Sequence, residues 1–295
     1  MKIKLLTTII AGVLLVGCGG NDNSVDDGGK NTQTLQAFDP AIINMIVKYN
    51  CNDQTGALTS RTAHNGKITT EDKNITEDPS ICSFTFTGDE NTKDVTNGKS
   101  MDKVTYTVPK GLAQKGQLIT ASPLTTYLTK KLNGALFTVA AATEALEELG
   151  LDELVNSGSI TDITALFSDT ETVINALPKD SKDRGILMAT TMVLSDTLTA
   201  LPQDALITEI ADVTTKITAS VTTEYPFYPA VGTDTPTDEI IFLDVKETAT
   251  NVQKDPEASV TLPPKVPAVP VPDETKPVPP PTGGTGGDDG QNPNG

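Results

Sequence analysis

The chain of 295 residues has no tryptophan, one histidine and three cysteines, and only 4% of its residues are aromatic. Each scarcity removes a class of chemistry. So few flat side chains leave little material for an aromatic platform that stacks sugar rings. The lone histidine, His64, stands beside an Asn65-Gly66 turn and would need a nearby nucleophile and a supporting carboxylate to join a catalytic triad. No Gly-x-Ser-x-Gly elbow supplies that nucleophile, and no Gly-x-x-x-x-Gly-Lys loop is there to cradle a phosphate. Basic residues are scarce as well. The 22 Lys and Arg face 39 Asp and Glu, a formal charge of −17. Such a field repels nucleic acid and anionic headgroups, so no nucleic-acid partner is expected. Beyond the first residues no run reaches the roughly 18 apolar residues of a spanning helix.

What is there begins at the N-terminus. Lys2 and Lys4 precede an apolar stretch, residues 5–16, of the length of a secretory signal and too short to span a bilayer. That stretch stops at Leu15-Val16-Gly17-Cys18, which resembles the processing box of bacterial lipoproteins. The resemblance implies cleavage before Cys18, a diacylglycerol on its thiol and an acyl chain on the freed amino group. Two or more chains hold a protein stably on a membrane, whereas one does so only marginally. Gly19 stands where an Asp would direct retention in the inner membrane, so the resemblance implies the Gram-negative outer membrane. Loss of Lys2 and Lys4 with the signal makes the mature chain two charges more negative.

With Cys18 assigned to lipid, Cys51 and Cys82 remain. In an oxidising envelope they are expected to pair, closing a loop of about 30 residues worth about 3–4 kcal/mol in chain entropy. The alternative is two buried free thiols. Two cysteines and one distant histidine do not make a zinc ligand set, so neither metal nor cofactor is expected.

Residues 18–37 are polar, Gly-rich and acidic and read as a lipidated flexible tether. Residues 38–110 read as short strands. Met45, Val47, Tyr49 and Cys51 alternate with polar neighbours, Phe84 and Phe86 alternate with threonines, and Val104, Tyr106 and Val108 form another period-two set. Turn signals separate them, which predicts a small β-sandwich. The order FDPAI, a strand ending YNC, an NGK turn, CSFTFTG, a second NGK and VTYTVP resembles carboxypeptidase-regulatory-like, Ig-like modules of bacterial surface proteins. In those modules the turn usually reads Thr-Asp-x-Asn-Gly; here Thr62-Ala63-His64-Asn65-Gly66 lacks the acid. The resemblance implies a spacer or adhesion module.

The period changes over residues 111–254. Ser122 and Pro123 form a helix start and Gly134 a stop. Apolar stripes follow at helical spacing: Val139 to Leu149, Ile163 to Leu177 before Pro178, Leu187 to Leu201 before Pro202, and Leu206 to Val221. They predict a bundle of about five helices, with Ser122-Pro-Leu-Thr-Thr as its junction to the sandwich. Ile240 to Leu243 reads as an edge strand. From Asp255 the chain is Pro-rich and then Gly-rich, and residues 255–295 read as a disordered tail. The expected fold class is α+β: tether, sandwich, bundle, tail.

Two acidic features complete the reading. The loop from Asp89 to Asp94 offers oxygen ligands for calcium but lacks EF-hand spacing, and a solvated turn is the expectation. Glu71-Asp72 and Glu147-Glu148 are adjacent in sequence, so their members diverge and are expected on solvated faces. The chain is therefore expected to be a non-catalytic, lipid-anchored outer-membrane protein. Its partners would be the membrane, through its lipid, and an envelope protein or extracellular matrix component, in surface adhesion or biofilm attachment. The alternative is a periplasmic lipoprotein assisting assembly of a secretion, pilus or polysaccharide-export system.

Overall fold

The computed structural model describes residues 31–52 and 54–273; the expected leader, the expected lipidation site Cys18 and residues 274–295 lie outside them. In chain order the strands are β1 (Gln33–Ala37), β2 (Ile42–Ile43), β3 (Ile46–Cys51), β4 (Gln54–Arg61), β5 (Lys67–Thr70), β6 (Cys82–Thr87), β7 (Lys93–Asp94), β8 (Thr105–Val108), β9 (Ile119–Ala121), β10 (Ile241–Phe242) and β11 (Val266–Pro267). The helices are α1 (Lys73–Thr76), α2 (Pro123–Leu132), α3 (Val139–Glu148), α4 (Asp152–Asn156), α5 (Ile163–Ser168), α6 (Thr170–Ala176), α7 (Lys182–Ala200), α8 (Ile207–Glu224) and α9 (Lys246–Lys254). The fold is α+β.

The alternation read in the sequence becomes a four-stranded antiparallel sheet in the order β4-β3-β6-β8. Its register places Val47 opposite Phe86, Tyr49 opposite Phe84 and Phe86 opposite Tyr106, all on the buried face. Lys48, Asn50, Ser83, Thr85 and Thr87 take the other face, because successive side chains of a strand point to opposite sides.

A second sheet, β5-β1-β9, corrects the expected extent of the tether. Gln33–Ala37 is not free chain but the central strand of that sheet, antiparallel to β5 and parallel to β9. Leu35 and Ala37 are fully buried. The polar composition of residues 18–37 hides this, because two apolar residues suffice when neighbouring strands supply the rest of the core.

The helix starts follow local rules. Ser122 accepts from the Thr125 amide while the Thr125 hydroxyl accepts from the Ser122 amide, a reciprocal cap, and Pro123 takes the first helical position. The stripe expected as one helix from Ile163 to Leu177 is two helices. Asp169 leaves helical geometry, ends α5 and caps α6 by accepting from the Thr172 amide. α7 is the central helix and packs against α2, α8 and α9. Sheets and helices share one core: Leu35, Phe86, Leu124, Phe167, Leu194 and Ile217 belong to a single hydrophobic cluster, with no separate core on either side of residue 110.

The start of the expected tail is also ordered. Pro267 and Val266 pair with Ile241 and Phe242, and the amides of Ala268, Val269 and Val271 donate to the carbonyls of Ile240, Asn97 and Val95. Spaced prolines hold this segment extended, and the residues between them retain the N–H groups that dock it as an edge. Free tail therefore cannot begin at Asp255.

Candidate functional site

Cys51 and Cys82 are directly opposed across β3 and β6, and their sulfurs are bonded at 1.98 Å with the Cα atoms 4.0 Å apart. Both are buried. Cys18 lies outside the described residues.

The Asp89 to Asp94 loop is used up by its own fold. Asp89 pairs with Arg61 at 2.6 Å and accepts from the Asn91 amide; the Arg61 hydrogen bond holds its carboxyl below the usual range. Asp94 turns inward, where it accepts from the Thr96 amide and hydroxyl and from the Asn97 side chain. Burial nevertheless dominates and pushes its carboxyl up to about 6. Among the described residues no group of three or more His, Cys, Asp or Glu side chains could hold a metal ion. Asp72 caps α1 and accepts from the Tyr49 hydroxyl at 2.5 Å, and Glu148 accepts from Tyr127 and pairs with Lys131.

His64 is half-buried on the wall of a cleft of about 580 Å³ that Asn44, Thr62, Glu90 and Lys93 also line. Its Nε2 lies 2.8 Å from the Val271 carbonyl and, facing an acceptor, must carry the proton. The histidine thus helps dock the Pro-rich segment. A second, shallower depression of about 460 Å³ lies on the polar face of the four-stranded sheet, over Lys48, Asn50, Ser83, Thr85 and Thr87.

The densest concentration of reactive groups lies inside the body, at the meeting of sheet, helix and C-terminal segment. Lys99, which follows the Asn97-Gly98 turn, places Nζ 2.7 Å from each carboxylate oxygen of Asp196 on α7. The two side chains are only 7% and 2% exposed. Lys99 also donates to the Leu243 carbonyl at 3.3 Å, and the Val245 amide donates to Asp196 Oδ2 at 2.9 Å. Beside the pair, the Tyr106 hydroxyl on β8 donates to Asp39 Oδ2 at 2.5 Å and lies 2.6 Å from Ser195 Oγ. Asp39 Oδ1 is buried and has no hydrogen-bond partner among the described residues. Burial raises the Asp39 carboxyl well above its ordinary value, against the pull of its Ser195 and Tyr106 hydrogen bonds, and raises Asp196 against the Lys99 charge.

Sequence reasoning passed over this cluster. One signal existed: Asp196 is the only charge in the run from 185 to 200, and a lone charge on a buried helix demands a partner. Nothing in the sequence points to Lys99 as that partner, nearly a hundred positions away. Comparison with protein-family models, curated proteins and solved structures finds no match to the chain.

Proposed function

We propose that the chain is a lipid-anchored, non-catalytic protein of the bacterial outer membrane that serves surface adhesion, attaching to a matrix or envelope component. The observation that carries this reading is the allotment of all three cysteines: Cys18 stands at the end of a lipoprotein processing box, and the other two form a disulfide. Lipidation and a disulfide belong to the same oxidising envelope. In this reading the four-stranded sheet β4-β3-β6-β8 presents the binding face and the helices support it through the shared core. The hydroxyl-rich face of the four-stranded sheet offers hydrogen-bonding groups to a hydrated polymer.

Binding of the purified protein to matrix polysaccharide and to whole cells tests the reading, with Thr85→Ala/Thr87→Ala as the face variant. Expected is binding that the face variant weakens, together with an attachment defect in cells lacking the protein. No binding and no defect would sink it. Proteolysis of intact cells adds a separate test: cleavage supports surface display, whereas protection moves the protein to the periplasmic accessory role.

A further inference from the structure

We propose that the end of the body formed by residues 110–117 and 133–143 seats on the lipid bilayer, a second membrane contact that presupposes the acylated Cys18 proposed above. An exposed apolar loop forms the seat. At the start of α3 Leu136 is 61% and Val139 51% exposed, and Ala135 and Ala140 beside them are exposed as well. Phe137 is half-buried against the core and its amide donates to the Lys110 carbonyl at 2.9 Å, so the loop is held in place with Leu136 in solvent. Single exposed apolar side chains are ordinary on a protein surface. Here two large ones and their alanine neighbours lie in a stretch, residues 132–143, that carries no charge at all, and such a patch calls for a cover.

Charge favours lipid as that cover. Residues 104–143 contain four lysines and no acid, in a chain with 39 acids to 22 bases, so the repulsion of the whole molecule for phosphate headgroups is relieved over this one stretch. Lys131 pairs with Glu144 and Glu148, and Lys130 donates to the Gln203 carbonyl. Lys110 and Lys115 pair with no carboxylate among the described residues. Lysines so placed lay their apolar stems along an interface and hold the ammonium at the level of lipid phosphates.

The anchored end of the chain enters beside the same loop. Gln33, the first residue of β1, accepts from the Gly116 amide at 3.0 Å and donates to the Gln117 carbonyl. A β-carbon on Gly111 would lie 3.6 Å from that of Leu136. The entering chain and the apolar loop thus flank one short segment, and residues 111–116 between them span at most about 18 Å. The chain from Cys18 to Asn31 reaches at most about 45 Å. Acyl chains on Cys18 would keep this end within that distance of the bilayer, where the high effective concentration lets a small patch dock.

Because the chain has no tryptophan, one introduced at a chosen position reports alone. Leu136→Trp is the probe and Glu90→Trp the control. Glu90 is exposed beyond the Thr87 end of β6, whereas Gly111 bonds to Ser80 just before the Cys82 end, about 17 Å away along the strand. The acylated full-length proteins are placed in phosphatidylethanolamine vesicles containing a minor share of phosphatidylglycerol, with and without brominated acyl chains. The expected result is blue-shifted emission from Leu136→Trp, quenched by bromine several times more strongly than emission from Glu90→Trp. Adding Val139→Asp to the probe chain should cut that quenching several-fold while leaving the thermal midpoint unchanged, since both side chains are exposed. Equal quenching of probe and control in acylated protein overturns the proposal and leaves the anchor standing. A blue shift without bromine quenching puts a protein surface on the loop and overturns it too. A mass without acyl groups overturns the anchor, and this contact with it.

Discussion

The Val269 carbonyl lies so close to Gly98 that a β-carbon added there would come within 2.5 Å of its oxygen. Gly98 also has φ +76°, a left-handed conformation that side chains disfavour. The Asn97-Gly98 turn is thus the seat on which the Pro-rich segment docks.

Gly98→Ala is expected to loosen that segment and cost about 1–3 kcal/mol, the scale of strain at such a backbone position. At about 2–4 °C per kcal/mol for a body of this size, the thermal midpoint should fall by several degrees. Residues 255–273 should become susceptible to limited proteolysis at the same time. Removing residues 255–295 should lower the midpoint too, since the Val269 and Val271 amide bonds contribute about 1 kcal/mol each. An unchanged midpoint in both variants would show that the docking adds nothing to stability.

Replacing Cys51 and Cys82 together by Ala is expected to reduce stability by about 3–4 kcal/mol, because the bridge closes a loop with a sequence separation of 31. Urea titration of the variant against the oxidised parent measures this. Alkylation of the denatured, unreduced parent should find neither cysteine free.

Ile210 is 1% exposed and lies in the shared core, so Ile210→Asp buries an unpaired charge. A loss of roughly 4 kcal/mol or more is expected, and strand and helix signals in circular dichroism should disappear in one transition because the core is common to both. Leu206→Asp is the control. Leu206 is 64% exposed and caps α8, where an Asp is favourable, so its midpoint should hold or rise slightly.

Asp94 makes a pH prediction whose sign opposes ordinary acid denaturation. Its folded-state value of about 6 lies above the unfolded value, so between about pH 4 and 6 the native chain binds more protons than the unfolded one. Its contribution is therefore most favourable below pH 4 and declines as pH rises to about 6, by on the order of 3 kcal/mol. Asp94→Ala cannot titrate. Whatever its cost from lost hydrogen bonds, its stability relative to the parent should improve as pH rises from 4 to 7. Chemical denaturation at stepped pH measures this, and a constant difference would show that Asp94 titrates normally.

Cys51 and Cys82 were legible as a pair because the leader expected from residues 1–17 would imply an oxidising compartment and local alternation puts both on strands. Their direct opposition was not, since register depends on how β3 meets β6. Ser122 and Pro123 announced α2 because capping is decided within one turn of chain. Asp169 should have divided α5 from α6 by the same rule, yet the apolar spacing ran through it. α9 was missed: Ala249 and Val252 are its only buried residues, too few to form a stripe.

The sequence by itself determined the α+β class, the inward residues of β3, β6 and β8 and the starts of α2, α3, α5 and α8, because alternation, helical spacing and capping are properties of neighbouring residues. Only the tertiary structure decided that Gln33–Ala37 is a central strand, that the Pro-rich segment is docked at Gly98, and that Lys99 meets Asp196 with Asp39 close by. Each of these depends on contacts between distant stretches of chain. A short polar strand, a proline ladder or a buried charge is stable only when partners remote in sequence supply its burial and hydrogen bonds.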